Sequence, residues 1–148
     1  MSVRYLVDTD VLSAGAPSKT QAVPELLEWM DLNSRRLYVS VITIAEIEDG
    51  IAKSRREGAT RKSSLLAEWL DALVHLYSAR ILSLDLPAAR LAGALSDKAR
   101  GRGHTPGFAD VAIGAIARHH DLTVLTRNVD DYAALGVAAH DAVAELPP

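Results

Sequence analysis

The chain has 148 residues, 49% hydrophobic and 24% charged, with a formal net charge of -3 and a pI near 5.9. That length suits one domain with a real core, and the acidic balance argues against a protein held to nucleic acid by bulk charge. With no Cys there is neither a disulfide nor a thiolate zinc site.

Met1–Arg4 leads directly into an apolar stretch, so no signal peptide is expected. No apolar run approaches the ~18 residues of a membrane span, and a cytoplasmic protein is expected. Tyr5-Leu6-Val7 lacks polar alternation, the pattern of a strand buried on both faces. A strand is predicted over 4–8, ending on Asp8. A loop covers Gly15-Ala16-Pro17-Ser18-Lys19. Pro24 opens a helix to about Asn33, and Leu37–Ser40 forms a second strand. A helix spans about 41–56, followed by a basic loop around Gly58. The helix over 62–78 carries Leu66, Trp69, Leu70, Leu73, Val74 and Tyr77 on one stripe, predicted to face the core. Ile81–Leu84 is a third strand, and Pro87 suits the first turn of a helix to about Arg100. After a loop from Gly101 to Gly107, an apolar helix covers 106–119 and Leu122–Leu125 is a fourth strand. Val137–Ala139 is the candidate fifth. Strands alternating with helices predict an α/β fold: a central parallel sheet of four or five strands with helices on both faces. One domain over 1–148 is expected, with 144–148 as a loose tail.

Acids recur where strands end. In open α/β sheets the ligand crevice lies beyond the carboxyl ends of the strands, which is where Asp8 falls. Glu46 lies in the helix that follows the second strand. Thr43-x-x-Glu46 also matches a capping box, and helical spacing does not choose Glu46 over Glu48 or Asp49. Asp110 is the only polar side chain from Phe108 to Ala117. Thr105 is the predicted N-cap there, with Pro106 at the first helical position. A carboxylate on a buried helix needs a partner, a metal or a proton. The fourth strand runs into Thr126-Arg127-Asn128-Val129-Asp130-Asp131-Tyr132, where Asn128 or Asp130 could cap a short helix. Two carboxylates ~4 Å apart repel by roughly 4 kcal/mol at an effective dielectric of ~20. Several sharing a pocket require a cation or a retained proton. All-oxygen ligands select a hard ion such as Mg2+ or Mn2+.

Four stretches carry a resemblance: Leu6-Val7-Asp8-Thr9-Asp10-Val11-Leu12; Thr43-Ile44-Ala45-Glu46-Ile47 with Gly50; Phe108-Ala109-Asp110-Val111-Ala112-Ile113; and Leu125-Thr126-Arg127-Asn128 before Asp131-Tyr132. In this order they resemble PIN domains, and more narrowly the VapC-type and FitB-like toxins of bacterial toxin–antitoxin modules. The resemblance implies a PIN-like fold and a metal-dependent endoribonuclease, the toxin of a type II module, that cuts a structured RNA. It implies that Asp8, Glu46 and Asp110 hold Mg2+ or Mn2+, with Thr9 and Thr126 as polar groups of the pocket. The family often has a fourth acid where this chain has Asn128, and Asp131 is the candidate to compensate. A homodimer and a small DNA-binding VapB-type antitoxin, whose basic segment plugs the acidic pocket, are implied as partners.

Lys53, Arg55, Arg56, Arg61 and Lys62 flank Gly58 and are candidate contacts for RNA phosphates, although charged hairpin tips are ordinary surface. Arg127 is the candidate contact to the scissile phosphate. Two alternatives stand. Asp8-Thr9-Asp10-Val11 is similar to the motif of haloacid-dehalogenase-like phosphatases, with Asp8 as nucleophile and Asp10 as acid. That reading leaves Asp110 unused and offers only Lys98 as its lysine. The other is a non-catalytic nucleic-acid-binding PIN domain, since fold does not fix function.

Overall fold

The computed structural model describes residues 2–17 and 23–148. Strand β1 (Tyr5–Val7) is buried on both faces, as its unbroken apolar run requires. Asp8 N-caps a four-residue helix, α1 (Thr9–Leu12), which the sequence patterns did not show. Ser13–Gly15 then forms a 3-10 turn that takes in Gly15, the first residue of the expected loop. Ser18 and Lys19 of that loop lie outside the described residues. Helix α2 (Pro24–Leu32) leads to β2 (Leu37–Ser40), and α3 (Val41–Arg56) follows without a break. Next come α4 (Thr60–Tyr77), β3 (Ile81–Leu82), α5 (Leu86–Gly101) and α6 (Phe108–His119). Strand β4 (Thr123–Leu125), α7 (Val129–Ala134) and β5 (Ala139–His140) complete the fold.

The five strands are all parallel, in the order β3-β2-β1-β4-β5. The chain starts in the middle, works outward to β3, then jumps back beside β1. Strand order therefore reverses between β1 and β4, the switch point at which such sheets open a crevice. Pleating splits the core into two layers. Leu6 and Val124 face α5, α6 and α7, with Leu95, Ile113, Ile116 and Leu135. Tyr5, Val7 and Val39 face α2, α3 and α4, with Leu26, Ile47, Ile51 and Leu70.

Several predicted boundaries shift for traceable reasons. Strand β3 stops at Leu82 because its partner β2 ends at Ser40, the residue opposite. Val137 is not in β5: its N–H bonds to Tyr132 O at the end of α7, so pairing with β4 begins at Ala139. Backbone at Gly107 is extended (φ -66, ψ 158), so α6 starts at Phe108 and neither Thr105 nor Pro106 holds the predicted place. On α4 only Leu70 and Tyr77 of the predicted stripe are fully buried; Val74 is 41% exposed. Residues 144–148 carry no helix or strand, and Arg36 donates to the Pro148 carbonyl.

Candidate active site

At the β1–β4 switch point Asp8 is 5% exposed and held from three directions. Its Oδ1 accepts the Thr9 N–H at 2.8 Å, and its Oδ2 accepts the hydroxyls of Thr126 (2.8 Å) and Tyr132 (3.1 Å). The Thr126 Oγ1 in turn accepts the Asn128 N–H at 2.9 Å. One network thus joins the ends of β1 and β4, 118 residues apart in sequence. Tyr132 is fully buried, and burial together with the Asp8 charge pushes its phenol far above the usual range. Sequence reasoning noted Tyr132 only as an aromatic. The available signal was a hydroxyl in a short helix directly after the acidic strand end.

Glu46 reaches the same corner from α3. Ser40, not Thr43, caps that helix: its Oγ accepts the Thr43 N–H at 3.1 Å. The Thr43–Glu46 capping box is therefore absent, because the N-cap of α3 lies three residues earlier, at Ser40. Glu46 is released to accept the Thr9 hydroxyl at 2.6 Å, and the buried Thr43 hydroxyl lies 3.0 Å from that of Thr9. Glu48 and Asp49, indistinguishable from Glu46 by spacing, are exposed with no such bond. Glu46 is itself exposed, at the rim of the site.

Asp110 sits in the first turn of α6. Val111 to Ala117 are all buried, but Phe108 is 70% exposed and Asp110 only half-buried, so the start of the helix is less enclosed than expected. The reason is the later start, which leaves the first turn at the rim. Burial pushes the Asp110 carboxyl up, and the charges of Asp8, Asp131, Glu46 and Asp10 push it further. Asp131 of α7 thus shares the same acidic field. Asn128 stands at the N-terminus of α7, exposed, and its side chain caps nothing. The only ion pair among the described residues, His119–Asp85, involves none of these acids.

A groove of about 240 Å³ begins at Thr9 and Glu46, crosses α3 at Gly50 and Ile51, and reaches Lys62, Leu66 and Trp69. A second hollow of about 230 Å³ shares Trp69 and continues past Leu73, Leu76 and Tyr77. Of the five basic residues around Gly58, Lys62 alone lines this groove. Lys53, Arg55, Arg56 and Arg61 are exposed on the hairpin tip, and Arg127 is exposed beside the acids.

Residues 5–136 match the family model described as PIN domain. The chain belongs to the PIN-domain family. Within that family it is similar to the toxin FitB of Neisseria gonorrhoeae, 33% identical over 135 residues, which span 90% of this chain and 94% of FitB. It is 32% identical to the VapC ribonuclease Y4jK of Sinorhizobium fredii, over 89% of this chain and 92% of the relative. The crystal structure of FitAcB from Neisseria gonorrhoeae superposes with a TM-score of 0.79 at 32% identity, covering 93% of this chain and 96% of that one. The expected PIN-like fold is therefore present in full.

The donors of this PIN domain suit a hard divalent ion by chemistry: carboxylate oxygens with unneutralised negative charge and one acid pushed up by burial and by the others. They do not form a closed cage. Among the described residues no three acids or histidines are spaced to grip one ion together.

Proposed function

We propose that this PIN domain is a metal-dependent endoribonuclease acting as the toxin of a type II toxin–antitoxin module. The observation that carries the proposal is Asp110 at the rim beside Asp8 and Glu46, its carboxyl pushed up by burial and then by four neighbouring acids while no ion pair among the described residues relieves them. Such a cluster is unfavourable alone and becomes favourable around a cation. Asp8, Asp110 and Glu46 would surround Mg2+ or Mn2+ with water between the ion and at least one of them, since no three acids among the described residues are spaced to grip one ion directly. When bound, the ion supplies an activated water and neutralises charge on the phosphate. The chain's own groups do the rest. Thr126 and Tyr132 fix the Asp8 carboxylate, and Thr9 holds Glu46 at the rim. Asp131 adds the negative charge that Asn128 lacks. Arg127 binds the phosphate, and Lys62 with the exposed cations of the α3–α4 hairpin binds the RNA strand further out.

Kinship with the toxin FitB and the VapC ribonuclease Y4jK supports this reading. The phosphatase alternative loses ground, because one Asp10 oxygen is engaged by the Arg127 N–H and the other is sealed from solvent. Lys98 is exposed on α5. Single-turnover cleavage of a structured RNA with Mn2+ tests the proposal. Asp8→Ala is expected to be inactive, whereas equal cleavage by both proteins would mean a contaminant and remove the case for catalysis.

The antitoxin would lie along the apolar trough on either side of Trp69 and deliver a basic side chain to Glu46 and Asp8. Half-buried Trp69 reports on this: antitoxin binding is expected to shift its emission to shorter wavelength. A shift that persists in Trp69→Phe would place the antitoxin elsewhere. A second copy of the chain is the other expected partner, and a sedimentation mass of 15.9 kDa, not twice that, would exclude it.

A further inference from the structure

Asp10 lies in the first turn of α1, two residues beyond Asp8, and the ribonuclease proposal gives it no role. Its Oδ2 accepts the backbone N–H of Arg127 at 3.0 Å, across 117 residues of sequence. Its Oδ1 is sealed from solvent and has no hydrogen-bond partner among the described residues. A buried carboxylate oxygen without a partner is unfavourable. Burial and the Asp8 charge accordingly push the Asp10 carboxyl up, while the Arg127 N–H and its nearby guanidinium pull it down. An Ala would avoid the buried charge, so the oxygen that meets Arg127 is the part with a purpose.

That oxygen completes a two-point clamp on the turn after β4. Asp8 takes the Thr126 hydroxyl at 2.8 Å, and Thr126 Oγ1 takes the Asn128 N–H at 2.9 Å. Asp10 takes the amide between them. Arg127 is exposed, and its charge acts on the Asp10 carboxyl. Holding its backbone limits the directions its side chain can take, and a preorganised contact loses less entropy on binding.

We propose that Asp10 is a positioning residue: by clamping the Arg127 amide it aims the Arg127 side chain at a phosphate of the bound RNA strand. The ligand in this statement rests on the ribonuclease proposal; the clamp does not.

Two measurements test it. The first is amide hydrogen exchange and the ¹H–¹⁵N spectrum of the full chain. The Arg127 amide is expected to be protected in the wild type, to lose protection in Asp10→Ala, and to regain it in Asp10→Asn, whose carbonyl still accepts. An unprotected Arg127 amide in the wild type overturns the clamp, even if Asp10→Ala fails to fold. The second is affinity for an uncleavable 2′-O-methyl RNA. Asp10→Ala and Arg127→Ala are each expected to weaken binding by about 10-fold, the size of one charge-assisted contact. Each should flatten the salt dependence by about 0.7 in log Kd per log salt, as for one lost phosphate. The double variant should bind no more weakly than Arg127→Ala, because both remove one contact. Additive losses overturn the proposal. Wild-type protein that binds no RNA overturns the ribonuclease proposal and the aim of Arg127, and the exchange data then judge the clamp separately.

Discussion

A carboxylate offers roughly four acceptor positions. Asp8 has filled three, through Thr9, Thr126 and Tyr132, which leaves a free position on Oδ1. Its neighbours thus fix its orientation without using it up, as the groups behind metal ligands commonly do. Tyr132→Phe is a clean probe of that role, because the ring and its packing remain while the donor to Oδ2 is lost. We expect a stability loss of ~1–3 kcal/mol, the consequence of leaving part of a buried carboxylate unmet. Mn2+ binding should weaken on the order of 10-fold. Calorimetric unfolding and Mn2+ titration check both, and unchanged Mn2+ affinity would mean that the hydroxyl serves packing alone.

Among the elements, α3 does the most to build the site. It starts directly from β2, and the Ser40 cap sets where its first turn lies. That phase puts Thr43 inward and Glu46 beside Thr9. Ser40→Ala removes the cap acceptor, a loss of ~1 kcal/mol in typical helices and about 2–4 °C in a chain of this length. RNA cleavage should fall by more than thermal destabilisation explains, since the start of α3 carries Glu46. Parallel melting curves and rates test the pair, and a lower Tm with an unchanged rate would separate the cap from the site. Helix α6 contributes differently. Its buried run packs so closely that a Cβ on Gly114 would stand 3.3 Å from the Val137 side chain, just past α7, and 3.6 Å from Tyr132 within it. Close packing there holds α6 against α7, and so Asp110 in the same field as Asp131.

For the whole molecule the acid cluster is a stability statement. The folded-state pKa of Asp110 is raised above its ordinary 3.8, so the native state binds that proton more tightly than the unfolded chain. Its favourable contribution is complete below about pH 3.8 and is lost as pH rises through the folded value. Once ionised and without metal, Asp110 therefore works against the fold. Asp110→Asn and wild type should melt together at pH 3 and diverge above it. The variant should melt higher at neutral pH, by an amount that shrinks as added salt screens the half-exposed site. Mn2+ should raise the wild type and not the variant, since only a bound ion shifts the equilibrium by mass action. A variant that melts lower at pH 7 would contradict the repulsion.

The alternating strands and helices, the buried centre of the sheet and the acids at strand ends were all legible in the sequence. Each is a local pattern: an unbroken apolar run, a helical period, a charge placed where that run stops. What the pattern left open depended on contacts between distant residues. That Glu46, rather than Glu48 or Asp49, meets the Thr9 hydroxyl followed from the Ser40 cap and the course of α3. The hydrogen bonds of Tyr132 and Asp10 followed from β4 lying beside β1, which brings residues more than a hundred positions apart within reach. The rim position of Phe108 followed from one extended glycine. Periodicity records which faces are apolar, but strand order decides which ends meet, and no local stretch of sequence contains that order.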